Sequence, residues 1–242
     1  MRTLDLNADA GESFGRYRLG SDEELIPHVT SVNVACGFHA GDPVVMARTV
    51  RLALLSGARI GAHPGYPDLQ GFGRREMRVS PDEIGHAVVY QVGALAAIAR
   101  AAGAGRLHHV KLHGALYHAA AWRRETAEAV TEALLRYDPD LVLYAPHASL
   151  LAQEAAAAGL TVWREVFADR AYLPDGRLLA RGEPGAVIAD PGELAARVLR
   201  MRQAGEVTAV DGSILTVNPD TVCLHGDGPG AAEAARRIRQ LL

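Results

Sequence analysis

The strongest constraint on this chain is an alternation: seven short β-like runs recur along its length, separated by longer helical patterns. The runs are Thr3–Ala8, Ser31–Ala35, Ala58–Ala62, His108–Leu112, Leu141–Ala145, Thr161–Val166 and Thr221–Leu224. Between them read helices at Pro43–Ser56, which Gly57 closes, and from Ser80 to Ala102, where Ser80 and Glu83 make a capping box around Pro81. Further helical patterns cover Arg123–Tyr137, Ser149–Ala158, Gly192–Ala204 and Ala231–Leu242. Such alternation requires parallel strands covered by helices. Seven parallel strands either close into a barrel or stay open as a doubly wound sheet, and periodicity does not choose between them. VTAVDGSILTV (207–217) departs from the pattern and reads as a hairpin turning at Asp211–Gly212. With no linker, repeat or low-complexity tract, residues 1–242 read as one domain.

A chain of 242 residues buries a sizeable core without covalent staples. An apolar fraction of 49% and a net charge of −3 fit a soluble globular protein and leave no electrostatic case for nucleic acid or an anionic membrane. Cys36 and Cys223 stand outside any CxxC pair, which suits reduced thiols and offers no zinc framework. The amino terminus lacks the pattern of a signal peptide, and no apolar run approaches the roughly 18 residues of a membrane span. A cytoplasmic location is expected. Lys111 is the only lysine; the other 24 basic residues are arginines.

Ligands of parallel α/β folds bind at the carboxyl ends of the strands, and here those ends are polar. The first strand exits through Asn7, Asp9 and Glu12, the second through Asn33, Cys36, His39 and Asp42, and the third at His63. The fourth carries Lys111 and His113, the fifth ends at His147, the sixth at Glu165, Asp169 and Arg170, and the seventh at His225 and Asp227. Each residue alone has an ordinary explanation. Asn7 and Asp9 suit turns, Asp42 before Pro43 suits an N-cap, and His28, His108 and His109 flank strands as structural residues. Convergence at one end argues for a site. Asp9 and Glu12 with His39 and His63 can hold a divalent cation or act as acid and base, and Lys111 can stabilise an oxyanion or a phosphate. The GDGPG run after His225 opens a helix whose N–H groups suit an anion. Walker A, GxSxG, HExxH and dinucleotide fingerprints are absent. The residues alone reach a hydrolase-like site with carboxylates, histidines and one lysine.

Six blocks carry a resemblance: DLNADAGE (5–12), SVNVACGFHAGDP (31–43), GAHPGYPDLQGFGRR (61–75), VKLHGALY (110–117), EVFADRAY (165–172) and CLHGD (223–227). In order and over nearly the whole chain they resemble the LamB/YcsF, or lactam-utilisation, family. Gly65 stands where the family pattern has serine, and Leu112 and His118 where it has proline and asparagine, which weakens any role for residues 65 and 118. The resemblance implies a seven-stranded parallel β/α barrel similar to the glycoside hydrolases and deacetylases. It also implies ATP-dependent opening of the lactam of 5-oxo-L-proline to L-glutamate, alongside 5-oxoprolinase subunits B and C. The positions it carries over are Asp9, Glu12, His39, His63, Lys111, His113, Glu165, Asp169, Arg170, His225 and Asp227. On this basis Asp9, Glu12, Lys111, His113, Glu165 and Asp169 are expected to be catalytic, with Glu165 or Asp9 as base toward water and His113 as proton shuttle. Asn7, Asn33, Arg170, His225 and Asp227 are expected to bind substrate or phosphate. ATP is the expected co-substrate, and a divalent metal is placed at Asp9, His39 and His63. Two other readings stand beside this one: a metal-dependent amidohydrolase or deacetylase without ATP, and a non-catalytic substrate-binding subunit.

Overall fold

Side-chain alternation along the first strand, β1 (Asp5–Ala10), sets the architecture. Leu6, Ala8 and Ala10 join the apolar core, while Asp5, Asn7 and Asp9 on the other face bond across the interior of a barrel. The computed structural model describes residues 4–226, 228 and 230–242. β2 (Ser31–Ala35), β3 (Arg59–His63), β4 (His109–Lys111), β5 (Val142–Pro146) and β6 (Thr161–Phe167) follow β1 in parallel. β7 (Glu206–Thr208) and β8 (Ile214–Thr216) then form the expected antiparallel hairpin. β9 (Thr221–Cys223) returns to the sheet, pairs in parallel with both β6 and β1, and closes the barrel. The choice left open by periodicity is thus settled by the edge pairing.

Local chemistry explains where the helices begin. The α1 turn (Asp22–Leu25) runs into a short 3-10 turn at Ile26–His28; neither has enough apolar period to stand out in the sequence. At α2 (Pro43–Ser56) the Asp42 carboxylate accepts from the N–H groups of Val44 and Val45, and Gly57 ends the helix in the left-handed conformation. The Ser80–Glu83 capping box opens α3 (Pro81–Ala101). At 21 residues α3 is long and apolar enough to cross a membrane by length and composition, contrary to the sequence reading; it lies instead against α2, β3 and α5 (Arg124–Tyr137). The unanticipated α4 (Gly114–Trp122) starts directly after His113, with no capping side chain to announce it. α6 (Leu150–Ala157), α7 (Pro191–Ala204) and α8 (Ala231–Leu241) complete the outer layer.

The barrel interior is polar and internally bonded. Asp5 accepts from Ser31 Oγ at 2.7 Å and from Thr221 Oγ1 at 2.6 Å. One layer up, the Asn7 amide donates to Glu165 Oε1 at 3.0 Å and to Thr221 Oγ1 at 2.7 Å, and Asn33 donates to Asn7 Oδ1 at 2.7 Å. His109 Nε2 donates to Asn33 Oδ1 at 2.7 Å, and its ring stacks on Tyr144 with centroids 4.0 Å apart. The ring fits because residue 61 is glycine: a Cβ there would stand 2.2 Å from His109 Nε2. Burying such groups costs several kcal/mol each, of the order of 2–7, unless they are bonded, and this ladder bonds them.

Candidate active site

Above that ladder, the carboxyl ends of the strands deliver a third layer. Lys111 reaches from β4 across the barrel, 2% exposed, and its ammonium lies 2.7 Å from Asp9 Oδ1, 3.3 Å from Glu165 Oε1 and 3.0 Å from Cys223 Sγ. Burial disfavours the charged form of Lys111. Asp9, Cys223 and Glu165 together outweigh that and hold the lysine well above its ordinary pKa. The reciprocal holds for Asp9: burial would raise it, but His63, Lys111 and His225 keep it well below the usual carboxylate range. The layer therefore carries a buried ion pair in its charged form.

Asp9 also accepts from the Asn33 amide at 2.8 Å, and its second oxygen lies 3.3 Å from His63 Nε2 and 3.8 Å from His225 Nε2. The far nitrogen of His225 is bound to Asp169, 2.8 Å from Oδ2 and 3.1 Å from Oδ1. Burial would raise Asp169, yet the neighbouring His225 and its hydrogen bond hold the carboxyl below its ordinary value. A charged carboxylate thus fixes the orientation of His225, whose Nδ1 it holds, as in a base and its orienting partner.

The histidines of β2, β3 and β4 gather beside this pair. His63 Nδ1 bonds to the Lys111 carbonyl at 2.8 Å, and His113 Nε2 to the Phe72 carbonyl at 2.8 Å. The remaining nitrogens, His63 Nε2 and His113 Nδ1, are 3.0 Å apart. His39 stacks face to face on His113, with centroids 3.6 Å apart, and its Nε2 is 3.5 Å from Glu12 Oε1. Burial, together with the neighbouring histidines, holds both His39 and His113 well below the ordinary imidazole pKa, so both rings are neutral at pH 7. Residue 73 must be glycine for this stack: its φ is +63°, and a Cβ would come 2.7 Å from His39 Cβ. Gly65 also backs the His39 ring, where a Cβ would stand 2.9 Å from Nδ1.

A cavity of about 570 Å³ opens over these groups. Asp9, His63, Lys111, His113 and His225 form its deep wall; Leu112, Tyr117, Phe167 and Leu179 make it partly apolar; Arg74, Arg170 and Arg181 stand around it. Much of the covering comes from the long segment after β6, where Arg170 bridges to Val187 and Tyr172 to Leu178.

Several expected roles change with this geometry. Asn7 and Asn33 are fully buried and bonded within the barrel, and neither lines the cavity; they support Asp9 and Glu165 and do not bind substrate. Glu165 is unsuited to act as the base: Oε1 faces Asn7 and Lys111, Oε2 accepts from Tyr117 Oη at 2.7 Å, and the group does not reach this cavity. His113 has Nε2 on the Phe72 carbonyl and Nδ1 against His63, so its contacts are to the histidine cluster. Arg170 lines the cavity, but its guanidinium donates to the Ala186 and Leu179 carbonyls at 3.3 and 2.6 Å and pins the covering segment. Asp169 orients His225, and His225 is the better placed of the two to meet a substrate. Asp227, like Pro229 in the GDGPG run, lies outside the described residues. Burial pushes the Cys36 thiol up to about 12, as fits a packing residue. His147 leaves β5 toward a second cavity of about 270 Å³ and does not join the set. Tyr117, Phe167, Arg74 and Arg181 were missed. All but Arg181 sit inside the blocks quoted above, where their types gave no chemical signal.

Comparison with known proteins bears on the same residues. The sequence model of the LamB/YcsF family matches residues 4–242. A protein of Methylococcus capsulatus, named as the A subunit of 5-oxoprolinase, is 58% identical over 241 residues, covering 100% of this chain and 92% of that one. Its namesake in Pyrococcus abyssi is 53% identical over 239 residues, covering 99% and 93%. The crystal structure of the lactam utilization protein from Thermus thermophilus superimposes with a TM-score of 0.93 at 50% identity, covering 99% of this chain and 95% of that one.

Proposed function

This chain belongs to the LamB/YcsF family, and from that premise we propose that it opens the lactam of 5-oxo-L-proline to L-glutamate in an ATP-dependent reaction, together with 5-oxoprolinase subunits B and C. The observation that carries the proposal is the buried Lys111 ammonium, held by Asp9 and Glu165 in the deep wall of a cavity ringed by arginines. The names of the relatives, the 5-oxoprolinase A subunit and the lactam utilization protein, support the choice of substrate.

A five-membered lactam is a poor electrophile because its nitrogen donates into the carbonyl. Transfer of the γ-phosphoryl group of ATP to the lactam oxygen releases ADP and removes that protection. Water then adds to the ring carbon, giving up a proton to His225 Nε2, and the ring C–N bond breaks as the nitrogen takes a proton. A second water frees the phosphate from the resulting acyl phosphate. In this scheme Lys111 stabilises negative charge that develops on the transferred group, a role suited to a fixed, buried cation. Asp169 holds His225 in the correct tautomer and orientation. Arg74 and Arg181 supply the cationic surface that the substrate carboxylate and the ATP phosphates require. The apolar patch of Tyr117 and Phe167 suits the methylene side of the ring.

The test is an assay of glutamate and phosphate release from 5-oxoproline by this chain with its partners, omitting ATP or each partner in turn. Equal release of both products, lost with any omission, is the expected result. Glutamate release without ATP would make the protein a simple amidohydrolase. Full turnover by an assembly carrying Lys111→Ala would make it a non-catalytic component.

A further inference from the structure

We propose that Glu12, His39, His63 and His113 form a binding site for one divalent first-row transition-metal ion, of which Zn²⁺ is the natural probe. One ligand atom from each of the four lies within 4.8 Å of all the others. The proton positions are dictated by chemistry. A carbonyl oxygen only accepts, so His63 carries its hydrogen on Nδ1, toward Lys111 O, and His113 on Nε2, toward Phe72 O. In the neutral rings, His63 Nε2 and His113 Nδ1 therefore face each other as two lone pairs 3.0 Å apart. Two lone pairs at that distance repel, and a positive species between them removes the conflict.

A proton would answer that one contact, but it does nothing for the rest of the cluster. His39 is 0% exposed, and neither of its ring nitrogens makes a hydrogen bond among the described residues. Its Nε2 points to Glu12 Oε1 at 3.5 Å, and the same oxygen is 3.7 Å from His113 Nδ1. Three imidazoles and one carboxylate around a common point are the donor set of a borderline divalent ion. The backbone carbonyls behind His63 and His113 are the outer-shell partners that fix the tautomer of metal-binding histidines.

Glu12, His39 and His63 were among the residues the sequence offered to a cation; the geometry adds His113 and leaves Asp9 out. Asp9 belongs to a second trio with Cys223 and His225. There the Lys111 ammonium already lies 2.7 Å from Asp9 and 3.0 Å from Cys223, and it supplies the positive charge. A metal ion at the histidine cluster would be next to the cavity, since His63 and His113 line it. When bound it would supply a Lewis acid for a carbonyl or phosphoryl oxygen. That use rests on the lactam reading, whereas the site itself does not.

The experiment is a calorimetric titration of chelator-stripped protein with Zn²⁺, paralleled by the absorption spectrum of the Co²⁺-loaded protein; neither depends on turnover. Saturation at one ion per chain is expected. His39→Ala and His113→Ala should each weaken Zn²⁺ binding by more than the roughly 10–100-fold that loss of an outer-shell partner costs, while Cys223→Ser leaves it unchanged. His39→Gln, checked by circular dichroism, serves if the alanine variant fails to fold. Absence of saturable binding by the folded wild-type protein would overturn the proposal. So would binding lost in Cys223→Ser and kept in the His39 variants.

Discussion

Two neighbouring clusters at the carboxyl end of the barrel handle charge in opposite ways. Around Lys111, the acidic groups Asp9 and Glu165 meet a cation that belongs to the chain, and Asp9 Oδ1 and both Glu165 oxygens have donors. Around His63, ring nitrogens of three imidazoles converge with the Glu12 carboxylate within 4.8 Å of one another, and His63 Nε2 and His113 Nδ1 stand 3.0 Å apart. The first arrangement is complete as folded and can act as a fixed electrostatic element. The second presents the donor set of a metal site. The contrast separates a counter-charge built into the chain from a donor set that suits a bound cation.

Lys111→Met attacks the complete cluster and should have the largest effect. Glutamate formation by the assembly is expected to vanish, and the folded state to lose about 3–5 kcal/mol, because two buried carboxylates remain without their cation. The sign of its pH dependence follows from linkage. In the wild type, Asp9 lies below its ordinary pKa, so its contribution is present above the unfolded value near 4 and is lost as pH falls through the folded one. In the variant the bare carboxylates are raised instead, and the deficit grows as pH rises through their folded pKa. Urea unfolding at pH 4 and pH 8 checks this: the gap between variant and wild type should be smaller at pH 4.

Asp169→Asn separates chemistry from stability. It removes the charge that orients His225 while keeping the shape, and kcat should fall by about 100-fold or more in the range typical of general-base catalysis, with the melting temperature little changed. Tyr117→Phe sharpens the comparison further. It strips one donor from Glu165 Oε2, and chemical denaturation should report a loss of about 1–3 kcal/mol for the buried acceptor left unmatched. Asp42→Ala is the smallest and lies outside both clusters: about 1 kcal/mol from the lost helix cap, with turnover unaltered.

Much of the frame was legible in the sequence because it rests on local rules. The β2 and α2 boundaries coincide with the runs Ser31–Ala35 and Pro43–Ser56, and Asp42, Gly57 and the Ser80–Glu83 box act as their types predict. The 207–217 hairpin also forms, because alternating residues around Asp211–Gly212 carry their own turn signal. Closure of the sheet was not legible, since pairing of β9 with β1 joins residues more than 200 positions apart. Within the site, the residue types at the strand exits were visible, but their division of labour was not. Asn33 and His39 lie on the same short stretch, and only the cross-barrel bonds show that Asn33 is part of the internal ladder while His39 faces Glu12. Tyr117 and Phe167 look like ordinary apolar residues until Glu165 and Lys111 are placed against them.

The division between the two clusters is tested most directly by anomalous diffraction from crystals of the wild-type protein soaked in Zn²⁺. A single anomalous peak bounded by Glu12, His39, His63 and His113, with the Lys111–Asp9 pair intact, is the predicted result. A peak between Asp9, Cys223 and His225 with Lys111 displaced would contradict it.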